Sequence, residues 1–414
     1  MRKLLGLGST FLLLASVAAG ADWPQFHGPN RDGSSAETNL ARSWPAEGPK
    51  VLWTVKVGAG YGGPCVQGGK VYLLDRPDRR QDMLRCFDLQ TGAEEWNFAY
   101  AAPGRVSHDG SRSTPAVDAK HVITVGCFGH VHGFSKATKK PLWTKHLLKD
   151  YEGRRIPRWG VAQSPLLYKD AVILAPQTGS VGVVALARET GKELWRSKPI
   201  GAMHYVAPRV IRLGGVDQVV LANGDGVHAV DAANGKVLWN YASFRCRISI
   251  PNVTPIGDGR LFMTAGYDAG CAMIKVTKSA EGFSAAELFK HDECNSQTSP
   301  AFLFKGHLYA NSNSNSDHDG LICMDLAGKV LWKTRRSPNF ERGHMLLADG
   351  MLYVIDGQKG SLHLIEPSPA GFKELAKVEG LLGGREIWAP LALSDGKLIV
   401  RDQSKMRCLD VGAK

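Results

Sequence analysis

The stretch Ala229-Val-Asp-Ala-Ala-Asn-Gly-Lys-Val-Leu-Trp239 decides how the rest of this 414-residue chain is read. Ala229, Val230 and Asp231 end one strand. Asn234 and Gly235 supply a tight turn, because both tolerate positive φ. Val237, Leu238 and Trp239 leave the turn with β-branched and aromatic weight. One such hairpin is marginal in water, so its recurrence is the informative fact. Copies stand at Cys86-Phe-Asp-Leu-Gln-Thr-Gly-Ala-Glu-Glu-Trp96, at Ala185-Leu-Ala-Arg-Glu-Thr-Gly-Lys-Glu-Leu-Trp195 and, one residue shorter, at Cys323-Met-Asp-Leu-Ala-Gly-Lys-Val-Leu-Trp332. Phe134 to Trp143 is a degenerate copy without the Asp and the Gly. Cys271 to Phe289 is a stretched one, and Leu364 to Leu375 lacks the Trp.

A second signal opens each repeat: a small residue, then Pro, then an alternating strand. It occurs at Gly63-Pro64, Thr114-Pro115, Ser164-Pro165, Ala207-Pro208, Thr254-Pro255, Ser299-Pro300 and Ala389-Pro390, with His344-Met345 in its place once. Pro is tolerated at a strand's first residue. Turns such as Gly68-Gly69, Asp258-Gly259 and Asp349-Gly350 lead into a second strand. Each unit is thus four short antiparallel strands, A to D, in roughly 43–52 residues, the length of a propeller blade. Eight starts predict an all-β, eight-bladed β-propeller over residues 51–414. Val51-Leu-Trp53 reads as a fourth strand without its third, and Arg407-Cys-Leu-Asp410 as a third without its fourth. The two ends should complete one blade and hide both edges.

The Trp at the end of most hairpins (53, 96, 143, 195, 239 and 332) is expected to pack between blades. The Asp and Thr-Gly are read as turn chemistry rather than catalytic carboxylates. Of the eight cysteines, Cys86, Cys271, Cys323 and Cys408 fill a small buried slot held by Ala in other repeats. Cys246 and Cys294 lie in equivalent loops of successive repeats, which leaves a cross-blade disulfide open.

Residues 1–21 read as a signal peptide: Arg2 and Lys3, an apolar run from Leu4 to Ala18, and Ala19-Gly20-Ala21 before a cut ahead of Asp22. The run is short for a spanning helix, and no Cys follows it to carry a lipid. A periplasmic or secreted chain without a transmembrane segment is expected. Residues 22–50, rich in Gly, Pro and Asn, should form an irregular strap docked on the ring through Trp23 and Phe26.

The hairpin, Ala-x-Asp-x-x-Thr-Gly-x-x-x-Trp, resembles the tryptophan-docking repeat of the PQQ-like propellers, which include quinoprotein alcohol dehydrogenases and the assembly factor BamB. Trp23-Pro-Gln-Phe-His-Gly-Pro-Asn-Arg-Asp-Gly33 resembles the head of secreted members. The resemblance implies the fold. It also implies two kinds of function, since the dehydrogenases carry an adjacent Cys-Cys pair and a Ca²⁺-binding carboxylate cluster. This sequence has no Cys-Cys pair, and no set of metal ligands matches.

The D–A connections between blades are long and share a face with the B–C turns. Residues 54–63, 97–114, 144–164, 196–207, 240–254, 290–299, 333–344 and 376–389 hold nineteen Lys or Arg against eight Asp or Glu, nearly the whole surplus of a chain of formal charge +12. A basic face draws anionic partners; export argues against nucleic acid. The residues just before each A strand should ring the axis: Tyr61, Arg112, Trp159, Gln163, His204, Tyr205, Asn252, Gln297, Arg342, His344, Arg385 and Trp388. Arginine forks and aromatic rings suit a planar or sugar-like anion. His204 or His344 has the chemistry of a base, although a polar-network role is the plainer one, and no catalytic set stands out. Asn315, Asp317 and Asp319 match part of a Ca²⁺ loop, but Leu326 stands where its last acidic ligand belongs; an Asn/Ser-rich turn is the better reading. The expectation is a monomeric, non-catalytic ring that binds a protein, an anionic saccharide or another anionic partner. The alternative is a PQQ-dependent dehydrogenase, with Ca²⁺, acting on an alcohol or sugar.

Overall fold

The computed structural model describes residues 21–314 and 318–413; the expected signal peptide lies almost wholly outside them, as do Asn315 and Asp317 of the weak Ca²⁺ motif. Eight four-stranded antiparallel sheets follow one another in chain order. In blades 1 to 7 the strands run A, B, C, D from the axis outward, beginning with Cys65–Gln67, Lys70–Asp75, Gln81–Asp88 and Glu94–Ala101 in blade 1. Blade 8 is closed as the split repeat requires. Lys50–Lys56 pairs with Lys405–Asp410, from Lys50 opposite Asp410 to Lys56 opposite Lys405, and completes the sheet of Ala392–Ser394 and Lys397–Arg401.

Burial follows position in the blade. The second strand of blade 7, Met351–Ile355, is buried at every residue. The outermost strand of blade 1, Glu94–Ala101, alternates between exposed and half-buried. Inner strands are covered by neighbouring blades on both faces and read as apolar runs, whereas the outer strand keeps a solvent face and a period of two. A–B turns place two residues at positive φ, as at Asp258 (52°) and Gly259 (72°), the geometry of a tight hairpin turn.

The tryptophans join blades as expected. A Cβ on Gly92 would lie 2.7 Å from the Trp53 ring, and one on Gly191 2.7 Å from that of Trp143. The Trp53 and Trp143 indoles donate to Leu89 O and Arg188 O, at 2.9 and 2.7 Å, in the following blade. The turn aspartates act as backbone acceptors: Asp88 Oδ1 takes the amides of Gln90 and Thr91, at 3.0 and 2.9 Å.

All eight cysteines are free and buried. Cys246 and Cys294 are not bridged: Cys246 Sγ lies 3.6 Å from Gly266 O, while Cys294 Sγ lies 3.4 Å from Thr264 Oγ1. Thr264 faces Cys271 in the ladder, and Cys294 shares a hydrophobic cluster with Cys271 rather than with Cys246. No described helix is long and apolar enough to cross a membrane.

The strap does more than dock. It runs along the inner strands of successive blades, and its Phe26 lines the axial pocket. Trp23, 2% exposed, exchanges backbone hydrogen bonds with Val66 of blade 1. Val117 N of blade 2 donates to Pro24 O at 2.8 Å. Arg31 donates to Pro165 O (2.9 Å) and Ser164 O (3.3 Å) of blade 3, and Arg209 of blade 4 to Asn30 O at 3.3 Å. Ser34–Ser35 then adds a fifth, parallel strand to the inner edge of Met345–Ala348 in blade 7.

Candidate functional site

The connection face holds an axial pocket of about 330 Å³, at the lower end of the size range of small-molecule sites. Its wall includes Tyr61, Arg112, Trp159, Tyr205, Gln297, Arg342, His344 and Trp388, eight of the residues expected around the axis, together with Phe26 of the strap. The reason is topological. The chain returns from rim to axis in each D–A connection, so the residue before each A strand is delivered to the centre.

Four other expected residues stand off this wall. Gln163 is buried and satisfied within its blade, with Nε2 donating to Ala175 O and Oε1 accepting from Ala175 N, both at 2.7 Å. His204 Nδ1 accepts from Ser249 N at 3.1 Å. Asn252 donates to Ala207 O and Val220 O, at 2.7 and 3.0 Å. Arg385 is exposed. Asp319 of the weak Ca²⁺ motif is ion-paired with Lys333 at 2.8 Å.

Several wall residues escaped the sequence reading. His108 and Glu386 lie a few residues from expected ones, and Tyr267 comes from a B–C turn of the same face. The shared face was the available signal for Tyr267; searching only before A strands missed it. Phe26 was expected to dock but not to form a wall.

Four arginines lie over aromatic rings of the pocket wall, and two of them, Arg112 and Arg342, line the pocket themselves. The distances from guanidinium carbon to ring centre are 5.4 Å for Arg112 on Tyr61, 5.5 Å for Arg158 on Trp159, 5.3 Å for Arg247 on Tyr267 and 4.4 Å for Arg342 on Trp388. Such contacts orient a cation without neutralising it. Arg342 is paired with Glu341. Among the described residues Arg112, Arg158 and Arg247 have no carboxylate partner. Arg112 is fixed instead by three backbone carbonyls, those of Ser107, His108 and Gly110, and burial lowers its pKa.

Two other lining residues, Gln297 (6% exposed) and His344 (4%), are nearly covered. Gln297 Nε2 donates to the Tyr267 hydroxyl at 3.2 Å; Gln297 Oε1 and His344 Nδ1 are shut off from solvent and have no hydrogen-bond partner among the described residues. Burial holds the His344 imidazole down to about 4, so it is neutral at pH 7. His27 of the strap, edge-on to His344 with ring centres 5.6 Å apart, is likewise pushed well below the ordinary histidine range, by burial first and then by His344, Arg31 and Arg209.

The donor set does not fit a calcium-bound quinone. Glu386 is the one carboxylate among the described wall residues. Its oxygens are taken by the Tyr61 hydroxyl and, at 2.8 Å, by His108 Nδ1. No group of three His, Cys, Asp or Glu among the described residues is placed to hold a metal ion, and no cysteine lines the pocket.

Comparison with known proteins places this architecture. The chain has an eight-bladed β-propeller fold similar to that of BamB and of quinoprotein alcohol dehydrogenases. The family model described as outer membrane protein assembly factor BamB matches residues 80–282. Among solved structures, BamB from Moraxella catarrhalis is similar at a TM-score of 0.60 and 15% identity, over 87% of this chain and 96% of that one. Quinohemoprotein alcohol dehydrogenase from Comamonas testosteroni is similar at 0.65 and 12%, over 95% and 81%, and a europium-containing methanol dehydrogenase at 0.53 and 11%, over 92% and 89%. At these identities the likeness speaks for the fold. No curated protein matches the sequence.

Proposed function

We propose that this protein is an exported, non-catalytic binding ring that takes an anionic ligand at the axial mouth of its connection face. The observation that carries this reading is the set of arginines stacked on rings that line the axial pocket, three of them without a carboxylate partner among the described residues. Positive charge held over low-dielectric walls attracts anions and concentrates them at the opening. Export rests on the leader at residues 1–21 and is tested by sequencing the N-terminus of protein recovered from outside the cytoplasm, where Asp22 should come first.

The binding test uses the fluorescence of Trp159 and Trp388, which border the pocket. Titration with polyglutamate, dextran sulfate and oligogalacturonate should give a saturable change for at least one of them. The change should weaken as salt rises and fall at least tenfold in an Arg112→Ala/Arg158→Ala/Arg247→Ala variant. No response to any of the three, or equal binding by the variant, would overturn the reading. The second reading, a quinone-dependent dehydrogenase, draws on the planar aromatic walls and on the fold it shares with alcohol dehydrogenases. Adding PQQ and CaCl₂ and recording the absorption spectrum with dye reduction tests it; stoichiometric binding with turnover would replace the binding-ring proposal.

A further inference from the structure

A second, smaller cavity of about 20 Å³ lies beside the axial pocket and shares Phe26 and Thr298 with it. Arg31 of the strap and Arg209 of blade 4 both line it. The two residues are buried, at 6% and 8% exposure, and lie close enough that Arg209 adds to burial in bringing Arg31 down to about 9. Their hydrogen bonds go to neutral oxygens. Arg31 donates to Gln25 Oε1 at 3.2 Å, besides Pro165 O and Ser164 O. Arg209 donates to Val253 O and Asn30 O, at 3.4 and 3.3 Å. Such bonds satisfy donors and cancel no charge. The one carboxylate paired with either guanidinium among the described residues is Asp32, 3.9 Å from Arg209 and with its side chain 33% exposed. Its Oδ1 already accepts from the Ser34 amide and hydroxyl, at 2.9 and 2.6 Å. Among the described residues no Asp or Glu lines the cavity.

Two buried guanidiniums against one partly exposed carboxylate leave an uncompensated positive charge out of water, which is costly unless a counter-ion shares the site. We infer that this cavity holds one small monovalent anion of halide size, bound between Arg31 and Arg209. With Asp32 the ion brings the cluster to neutrality, which a water in the same place would not do. The volume admits about one water-sized body, so phosphate, sulfate and organic acids are too large. A guanidinium carries five N–H groups, and the oxygens named above take three from Arg31 and two from Arg209. The remainder are charge-assisted donors to an anion. Asn252 also lines the cavity, but its amide is spent on Ala207 O and Val220 O. Because Arg31 belongs to the strap and Arg209 to blade 4, the ion fastens one to the other. The site is separate from the proposed ligand site in the axial pocket and does not depend on it.

The test joins a crystal measurement to a solution one. Crystals of the protein grown in sodium bromide should show an anomalous bromine peak in the cavity between Arg31 and Arg209. In solution, sodium chloride is exchanged for sodium gluconate, whose anion is too large for the site, at constant ionic strength. The urea midpoint should rise with chloride and level off, as binding to the native state alone requires. Protease cleavage between Trp23 and Gly33 should be at least fivefold slower in chloride than in gluconate. Arg209→Met should abolish both responses to chloride. A cavity without bromine would overturn the inference. So would a bromine peak with midpoints and cleavage indifferent to the salt, which would mean an adventitious ion only. The bromide and salt measurements use the unmodified chain, so they decide the matter even if the variant does not fold.

Discussion

At the scale of single residues, the repeat depends on glycines that a neighbouring aromatic ring covers. A Cβ on Gly235 would sit 2.6 Å from the Trp195 ring, at a φ of 76°. Gly235→Ala should therefore cost about 1–3 kcal/mol, read as a lowered urea midpoint. Gly215→Ala, at a φ of 79° with open space around it, should cost less, from backbone strain alone. Cys271 and Cys294 make a second residue-level prediction. The two thiols lie close enough to shift each other's ionisation, Cys294 and burial pushing Cys271 up while Cys271 draws Cys294 down. Under mild oxidation, peptide mapping without reduction should find a Cys271–Cys294 link before any link to Cys246. A third prediction comes from buried histidines. Burial brings His132 and His344 down to about 4, whereas unfolded histidines titrate near 6.5. As pH falls from 7 to 5 the unfolded chain gains protons that the native ring refuses, so stability falls, and the loss stops growing near pH 4, where these native histidines protonate too. Asp88 and Asp118, held at about 2, add their own loss at lower pH. The urea midpoint should be lower at pH 5 than at pH 7, with a shallower dependence in His132→Phe; equal midpoints would contradict the argument.

At the scale of elements, the strap and the split blade have different roles. Arg31 is 6% exposed and ties the strap to blade 3 through two carbonyls. Arg31→Ala leaves those acceptors unpaired at a cost of about 1–3 kcal/mol. It should also make the segment between Trp23 and Gly33 cleavable by protease at a dilution that spares the parent protein. The seal of blade 8 is a strand, not a tether. Removing residues 405–414 strips Lys50–Lys56 of its six paired residues and opens two sheet edges. An open edge templates pairing with another chain, so this truncation should elute as aggregate in size-exclusion chromatography. The repeats were legible because a turn residue, a β-run and a closing Trp recur locally. The strap's course was not: its segment has no periodicity, and its path is set by hydrogen bonds with blades 1 to 4, which offer carbonyls in blades 1 and 3 and donors in blades 1, 2 and 4. Its strand at Ser34–Ser35 has no apolar pattern, because it forms by adding to an existing edge.

At the scale of the whole molecule, a ring converts eight local connections into one site. Residues as far apart as Tyr61, Arg112, Gln297 and Trp388 share a wall of about 330 Å³ only because every connection returns to the same axis. The sequence located that axis through the residues before each A strand, but it could not separate Arg112, which faces the pocket, from Arg385, which is exposed, or Gln297 from Gln163, whose amide is used up inside its blade. Those outcomes depend on which carbonyls lie within reach after closure. What the sequence determined by itself was blade number, strand order and the closing of the ring by its two ends, since a period written into hydrophobic and turn residues needs no distant contact to be read. What the tertiary structure alone decided was that Cys294 lies in one cluster with Cys271, that Phe26 of the strap joins the pocket wall, and that the rings of that wall carry stacked arginines. Burial and hydrogen-bond satisfaction are properties of neighbours in space, and here those neighbours come from opposite sides of the ring.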